Sequence, residues 1–173
     1  RLSNHKPFPD HEVAYLPRPC MQCGKPSCVA VCPVVATDKR EEGGIVSQIP
    51  PRCIGCRYCM ASCPYHARYF NWYDPKWPGD LAQALTADVS VRMRGVVEKC
   101  SFCHHRFMKA QEAAVANGQD PMNLPDGAYV TACTEACPNG AITFGDLNNP
   151  AHKVHELIKS PYAFRLLERL GTD

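Results

Sequence analysis

Apolar positions in this chain come in short bursts. Three β-prone stretches, VVATDK after Pro33, HARYFNWY after Pro64 and NGAITFGD after Pro138, each follow a Cys-Pro pair and a turn of small residues, so one unit is used three times. Between the first two, KREEGGIVSQIPPRC predicts a hairpin around Gly43-Gly44, with Ile45, Val46 and Ile49 available to the core. Residues 74–95 form an excursion bounded by proline and glycine, and RFMKAQEAAVAN, residues 106–117, reads as a helix stopped by Gly118. SPYAFRLLERLG predicts a last helix with Ser160 as N-cap, Pro161 in the first turn and Gly171 as stop, its apolar face a docking surface or packing stripe.

These elements offer only a small core for 173 residues, and composition says what supplements it: 12 of the residues are cysteine. Such a chain is cross-linked or metallated, and bound metal then supplies much of the folding free energy. Charge adds little, since 19 basic residues against 17 acidic ones give no field directed at nucleic acid or an anionic membrane. No run approaches the ~18–20 apolar residues of a membrane span, and the first residues lack the apolar centre of a signal peptide. We therefore expect no transmembrane segment.

Cysteine spacing carries the chemistry. PCMQCGKPSCVAVCP holds Cys20, Cys23, Cys28 and Cys32 before Pro33; RCIGCRYCMASCP holds Cys53, Cys56, Cys59 and Cys63 before Pro64. A third set is split, with Cys100 and Cys103 in KCSFC and Cys133 and Cys137 in TACTEACPNGA before Pro138. The second block is the C-x2-C-x2-C-x3-C-P run of bacterial ferredoxins, and the others widen the interval before the third cysteine. A tight loop presents three thiolates to three irons of a cubane; in two-cluster ferredoxins the cysteine before proline ligates the other cluster. Crosswise pairing joins Cys20, Cys23 and Cys28 with Cys63, and Cys53, Cys56 and Cys59 with Cys32. Zinc competes most seriously at Cys100, Cys103, Cys133 and Cys137, which match a four-thiolate site, but zinc has no use for the repeated Cys-Pro. Disulfides would close only short loops here, where their stabilisation is weakest, and no CxxC pair lies in a thioredoxin-like context.

PCMQCGKPSCVAVCP, RCIGCRYCMASCPYHARYFNW, EKCSFCHHR and TACTEACPNGAITFGDLNNP resemble the iron–sulfur electron-transfer subunits of the DMSO reductase and polysulfide reductase type over about residues 18–170. The long interval between Cys103 and Cys133 is similar to members in alternative complex III and menaquinone-linked reductase complexes. The resemblance implies an α+β fold of tandem bacterial-ferredoxin-like units, short hairpins and helices around 4Fe-4S clusters, with helical insertions and a small hydrophobic core. It implies four cysteine motifs and four clusters in a complete subunit, one of which can be three-iron, whereas this sequence carries the second, third and fourth motifs. Its cysteine count alone gives three clusters. In the family the first motif pairs with the fourth and the second with the third. Cys100, Cys103 and Cys133 then share the third cluster, and Cys137 serves the cluster of the absent first motif; the ligand count also permits Cys137 to close the third cluster. The expectation is a piece of a longer polypeptide, as the Arg1 start suggests.

The organisation expected is an extended lead-in (1–17), a two-motif ferredoxin-like unit (18–73), an insertion (74–98), a partial second unit (99–147) with a helical insertion at 104–130, and a C-terminal segment with a docking helix (148–173). The expected function is that of a wire without a catalytic site, relaying single electrons within a membrane-associated, quinone-linked oxidoreductase complex of the respiratory chain. Implied partners are a molybdopterin-type or related large subunit, a cytochrome c subunit, and an integral-membrane quinone-site subunit, with no nucleic acid. The implied location is the periplasmic face of the bacterial cytoplasmic membrane. The alternatives are a self-contained soluble polyferredoxin and, more remotely, a zinc-stabilised interaction module. Arg52, Arg57, Lys99 and Arg106 lie near cysteines and either raise cluster potentials or are solvated charges. His66, His104 and His105 are weak ligand candidates beside full cysteine sets, and Trp72, Tyr73 and Trp77 belong either to the core or to a subunit contact.

Overall fold

The computed structural model describes residues 2–3, 5–14, 17–40 and 44–172. Its described strands form three antiparallel pairs: β1 (Leu2–Ser3) with β2 (Val13–Ala14), β3 (Thr37–Lys39) with β4 (Val46–Gln48), and β5 (Tyr69–Phe70) with β6 (Val97–Glu98). The β3–β4 pair is the expected hairpin, with Thr37 opposite Gln48 and Lys39 opposite Val46. Gly43 lies outside the described residues, while Gly44 takes φ +62°, where a side chain would be strained. Ile45 and Val46 are buried and Ile49 is half-buried, its N–H donating to Ala36 O at 2.7 Å.

The C-x3-C-P spacing has a structural meaning. One-turn helices α1 (Ser27–Ala30) and α2 (Tyr58–Ser62), and α4 (Ala132–Glu135) beyond the longer α3 (His104–Ala116), each carry a third cysteine, Cys28, Cys59 or Cys133, at their second residue. The fourth cysteine, Cys32, Cys63 or Cys137, falls at or just past the helix end, and the following proline, which lacks an N–H, cannot prolong the helix. Helix α3 begins two residues before the expected start and ends at Ala116, with Asn117 as its C-cap and Gly118 at φ +69°.

Two expectations fail. After Pro138 the β-prone stretch is not a strand: β4 and β6, which precede Cys53 and Cys100, are already paired with β3 and β5, and no partner strand remains among the described residues. Phe144 instead packs edge-on against Phe102 and Tyr129, at centroid distances of 5.4 and 4.8 Å. The helix expected over 160–171 is also absent. The regular turn comes earlier, as α5 (Lys153–Leu157), and later residues form turns and one 3-10 turn at Glu168–Leu170 between left-handed Leu167 and Gly171. Tertiary anchoring overrides helix propensity here: Tyr65 Oη bonds Thr172 Oγ1 at 2.6 Å and Leu166 O at 3.3 Å, and Lys25 N donates to Thr172 O at 2.9 Å. The segment is drawn across the first unit instead of presenting a helical face.

The excursion after Asp74 is exposed and contains a 3-10 turn at Gly79–Ala84. Gly95 N donates to Asn71 O at 2.8 Å and Arg94 N to Asp74 Oδ1 at 3.1 Å, closing its base beside β5 and β6. The core itself has two parts. Cys28, Val46, Cys59 and Val97 form one, and Cys63, Tyr65 and Ala67 the other, so several candidate ligands are also core residues.

Candidate metal centre

The first site is the most enclosed. Cys20, Cys23, Cys28 and Cys63 line a single cavity, partly open to solvent, with Met21, Val46, Tyr65, Ala67 and Arg68 in its wall. Three of these cysteines come from one loop and helix α1, and the fourth from the end of α2. The packing of α1 on α2, tied by Ser27 Oγ donating to Ser62 O at 2.8 Å, brings them together. Burial pushes the Cys23 thiol up, and the charges of Cys20 and Cys28 add to this against a hydrogen bond from Thr172. Several thiolates facing one space require cationic iron or protons.

Around the second site, Cys59 is buried, Cys53 packs beside it and Cys56 is exposed. Cys53 Sγ accepts from Val97 N at 3.4 Å. Gly55, at φ +72°, passes so close to the Gly95 carbonyl that a Cβ would collide with it, so glycine is required between Cys53 and Cys56. Cys32 Sγ accepts from Ala36 N at 3.1 Å and Thr37 N at 3.4 Å. Burial opposes its ionisation, but backbone donors from Thr37, Val34 and Ala36 and the Thr37 hydroxyl outweigh that and lower its pKa.

At the third site, Cys103 Sγ accepts from Ala132 N at 3.3 Å and Cys133 Sγ lies 3.1 Å from Thr131 Oγ1. The Tyr129 hydroxyl, pushed up in pKa first by burial and then by Cys103, Cys100 and Cys133, senses all three sulfurs; it donates to Phe102 O. Cys137 has different partners. Its sulfur accepts from Ala141 N at 3.2 Å, and backbone donors led by Ala141 lower its pKa.

Two cations, Lys99 half-buried and Arg68 buried, lie beside the cysteine sets. Lys99, among the sequence candidates, has its ammonium donating to Val46 O and, at 2.9 Å, to Cys100 O. Burial lowers its pKa, opposed chiefly by Cys20 and Cys100, which belong to the first and third sets. Arg68 was not a candidate. It donates from Nη2 to Cys28 Sγ at 3.0 Å, and its charge and hydrogen bonding also draw down the Cys59 thiol, which burial otherwise pushes up. Its sequence neighbourhood carries no signal of this: the adjacent Tyr69 is exposed, and the residues that hold Arg68 lie at least 20 positions away. Other candidates are peripheral. Arg52 is exposed, Arg57 stacks over Phe70 and Trp72 at 5.3 and 5.0 Å, and Arg106 pairs with Glu135 at 2.6 Å. His66 is exposed, His104 packs near Phe107 with its pKa lowered by burial, and His105 is half-buried at the start of α3. Trp72, Tyr73 and Trp77 are exposed, not core.

The donor set fits iron–sulfur clusters. Thiolates are soft ligands; backbone N–H groups point at the sulfurs of Cys32, Cys53, Cys103 and Cys137. Arg68 is buried with no carboxylate partner among the described residues, which requires anionic sulfur as its countercharge. No three His, Cys, Asp or Glu side chains among the described residues gather around a single-ion point; a cubane holds its thiolates on separate irons.

The family description "4Fe-4S dicluster domain" matches residues 11–78. The menaquinone reductase iron–sulfur cluster-binding subunit of Nitratidesulfovibrio vulgaris is 78% identical over 172 residues, covering 99% of this chain and 68% of the relative. A polysulfide reductase component of Wolinella succinogenes is 33% identical over 169 residues, covering 96% and 69%. The Hdr-like menaquinol oxidoreductase iron–sulfur subunit 1 of Archaeoglobus fulgidus is 38% identical over 176 residues, and the chain spans 60% of its length.

Proposed function

The chain belongs to the iron–sulfur cluster-binding subunits of the menaquinone reductase and DMSO/polysulfide reductase type, and from that premise we propose that it relays single electrons through a row of 4Fe-4S clusters in a membrane-associated, quinone-linked complex. The observation that carries this reading is the cavity lined by Cys20, Cys23, Cys28 and Cys63, which come from two different motifs. Cys53, Cys56 and Cys59 with Cys32 hold the second cluster, and Cys100, Cys103 and Cys133 bind at the third site. Cys137, with its own loop donors, serves a cluster whose other ligands this sequence does not contain. When bound, the clusters supply reversible one-electron chemistry; the chain's residues hold iron, donate N–H bonds to sulfur and set local charge. Lys99, which donates both to Val46 O in the wall of the first site and to Cys100 O of the third, and the packing of Cys28 with Cys59 support an order in which the first site lies between the other two.

The role requires no catalytic site in this chain. Its partners are a molybdopterin-type or cytochrome c subunit on one side and an integral-membrane quinone-site subunit on the other, at the periplasmic face. No helix among the described residues is long and apolar enough to cross a membrane. The test is an iron and sulfide count with EPR on the native complex and on this chain alone. Three cubanes give about 12 irons in the chain. A colourless zinc protein overturns the cluster reading; a redox-active monomer from native cells, with no bound subunit, overturns the complex in favour of a diffusing polyferredoxin.

A further inference from the structure

We propose that Arg68 is a shared tuning residue, a single fixed positive charge placed between a sulfur of the first site and a sulfur of the second that raises both clusters' reduction potentials together. The inference rests on the cluster assignment above. Arg68 is 4% exposed, and its guanidinium is gripped from two directions. Nη2 donates to Cys28 Sγ at 3.0 Å, while Nη1 donates to Gln48 Oε1 at 2.8 Å and Thr37 Oγ1 at 3.2 Å. The Thr37 hydroxyl donates to the same Gln48 oxygen at 2.8 Å. Thr37 and Gln48 stand opposite one another on β3 and β4, so the hairpin acts as a neutral clamp that orients the cation without neutralising it.

Guanidinium does not deprotonate in proteins, so the charge persists across the working pH range. It lies against a cluster of Cys28, Val46, Cys59 and Val97, where apolar neighbours screen it weakly. Cys59 is packed in the same buried cluster as Cys28, the sulfur that accepts from the guanidinium, so the cation stands beside a ligand of each site. Reduction adds one electron to an already anionic cluster, and a neighbouring cation stabilises that state more than the oxidised one. No bond is made or broken: one electron enters from the neighbouring carrier and one leaves to the next. Because one charge faces both sites, it lifts the two potentials in parallel and leaves the step between them small. A purely structural cation would hold the hairpin against α1 without setting potentials.

The experiment is an EPR-monitored redox titration of Arg68→Gln and Arg68→Lys in the native complex, with iron and sulfide counted in each preparation. With full cluster content, the Gln variant should show two midpoint potentials falling together. The expected loss is about tenfold in each reduction equilibrium, about 59 mV for a one-electron couple. The Lys variant should fall less, and the third site's signal should stay in place. Unmoved potentials in an iron-replete Gln variant overturn the proposal; so does a shift confined to one cluster, or one shared equally by all. If the Gln variant loses iron, Gln48→Leu is read instead. It removes the guanidinium's nearest neutral acceptor and touches no sulfur: paired movement of the same two potentials supports the proposal, and no movement overturns it. A native chain without iron and sulfide overturns the cluster assignment itself, a result distinct from intact clusters with unchanged potentials.

Discussion

The two-motif unit and the third motif are built from the same cysteine pattern and end in different environments. In the former, Cys28, Cys59 and Cys63 are buried and each Cys-Pro leads into a paired strand. In the latter, Cys100 and Cys133 are exposed, and the stretch after Pro138 has aromatic packing where a strand partner would be. Helix α4 and the proline stop repeat; the sheet does not. The local ligand spacing is therefore separable from the tertiary enclosure, and only the enclosure makes the first site a complete four-sulfur cavity.

The strongest way to break this comparison is at the cysteines before proline. Cys63→Ser should remove the first site's cluster, lowering iron and sulfide in this chain by about a third of the roughly 12 irons expected, and should unfold much of residues 18–73, because Cys63 is also core. Cys137→Ser should leave the chain's iron count unchanged; an equal loss would show that Cys137 closes the third cluster. Next come the glycines. Gly55→Ala must push back the Gly95 carbonyl and hold a strained φ, and should cost more than about 1 kcal/mol in thermal melting of the loaded protein. Gly140→Ala, also at positive φ but facing open space, should cost no more than the roughly 1–2 kcal/mol of left-handed strain.

Smaller effects separate the packing of the two regions. Tyr65→Phe removes the bonds to Thr172 and Leu166 from a buried hydroxyl and should destabilise by about 1 kcal/mol in denaturant melts. At the exposed rim, Arg57→Ala loses only its stacking on Phe70 and Trp72, worth about 0.5–1 kcal/mol by the same melts.

The hairpin, helix α3 and the short helices that carry the cysteines before each proline were legible because each depends on neighbours a few residues away: glycine at a turn, Gly118 at a helix stop, cysteine before proline. The rest was not, because it depends on distant residues. Tyr65 reaches Thr172 and prevents the helix that 160–171 favours locally. The stretch after Pro138 has the composition of a strand, but a strand needs a partner and none is within reach among the described residues. Arg68 was missed because its function comes from Thr37, Gln48 and Cys28, all at least 20 residues away along the chain. Arg57, which is adjacent to Cys56 in sequence, turns to the aromatic surface instead.

The Tyr65–Thr172 contact also sets an order of events during synthesis. Its partners are 107 residues apart, and Leu166 of the covering segment packs against the buried group of Cys63, Tyr65 and Ala67, as Cys20 and Cys23 do. A ribosome working at about 5–20 residues per second exposes the first four-sulfur pocket roughly 5–20 seconds before its cover emerges. Of the three sites in this sequence, the first to be translated is thus the last to be covered, and iron and sulfide can reach it most freely during that interval.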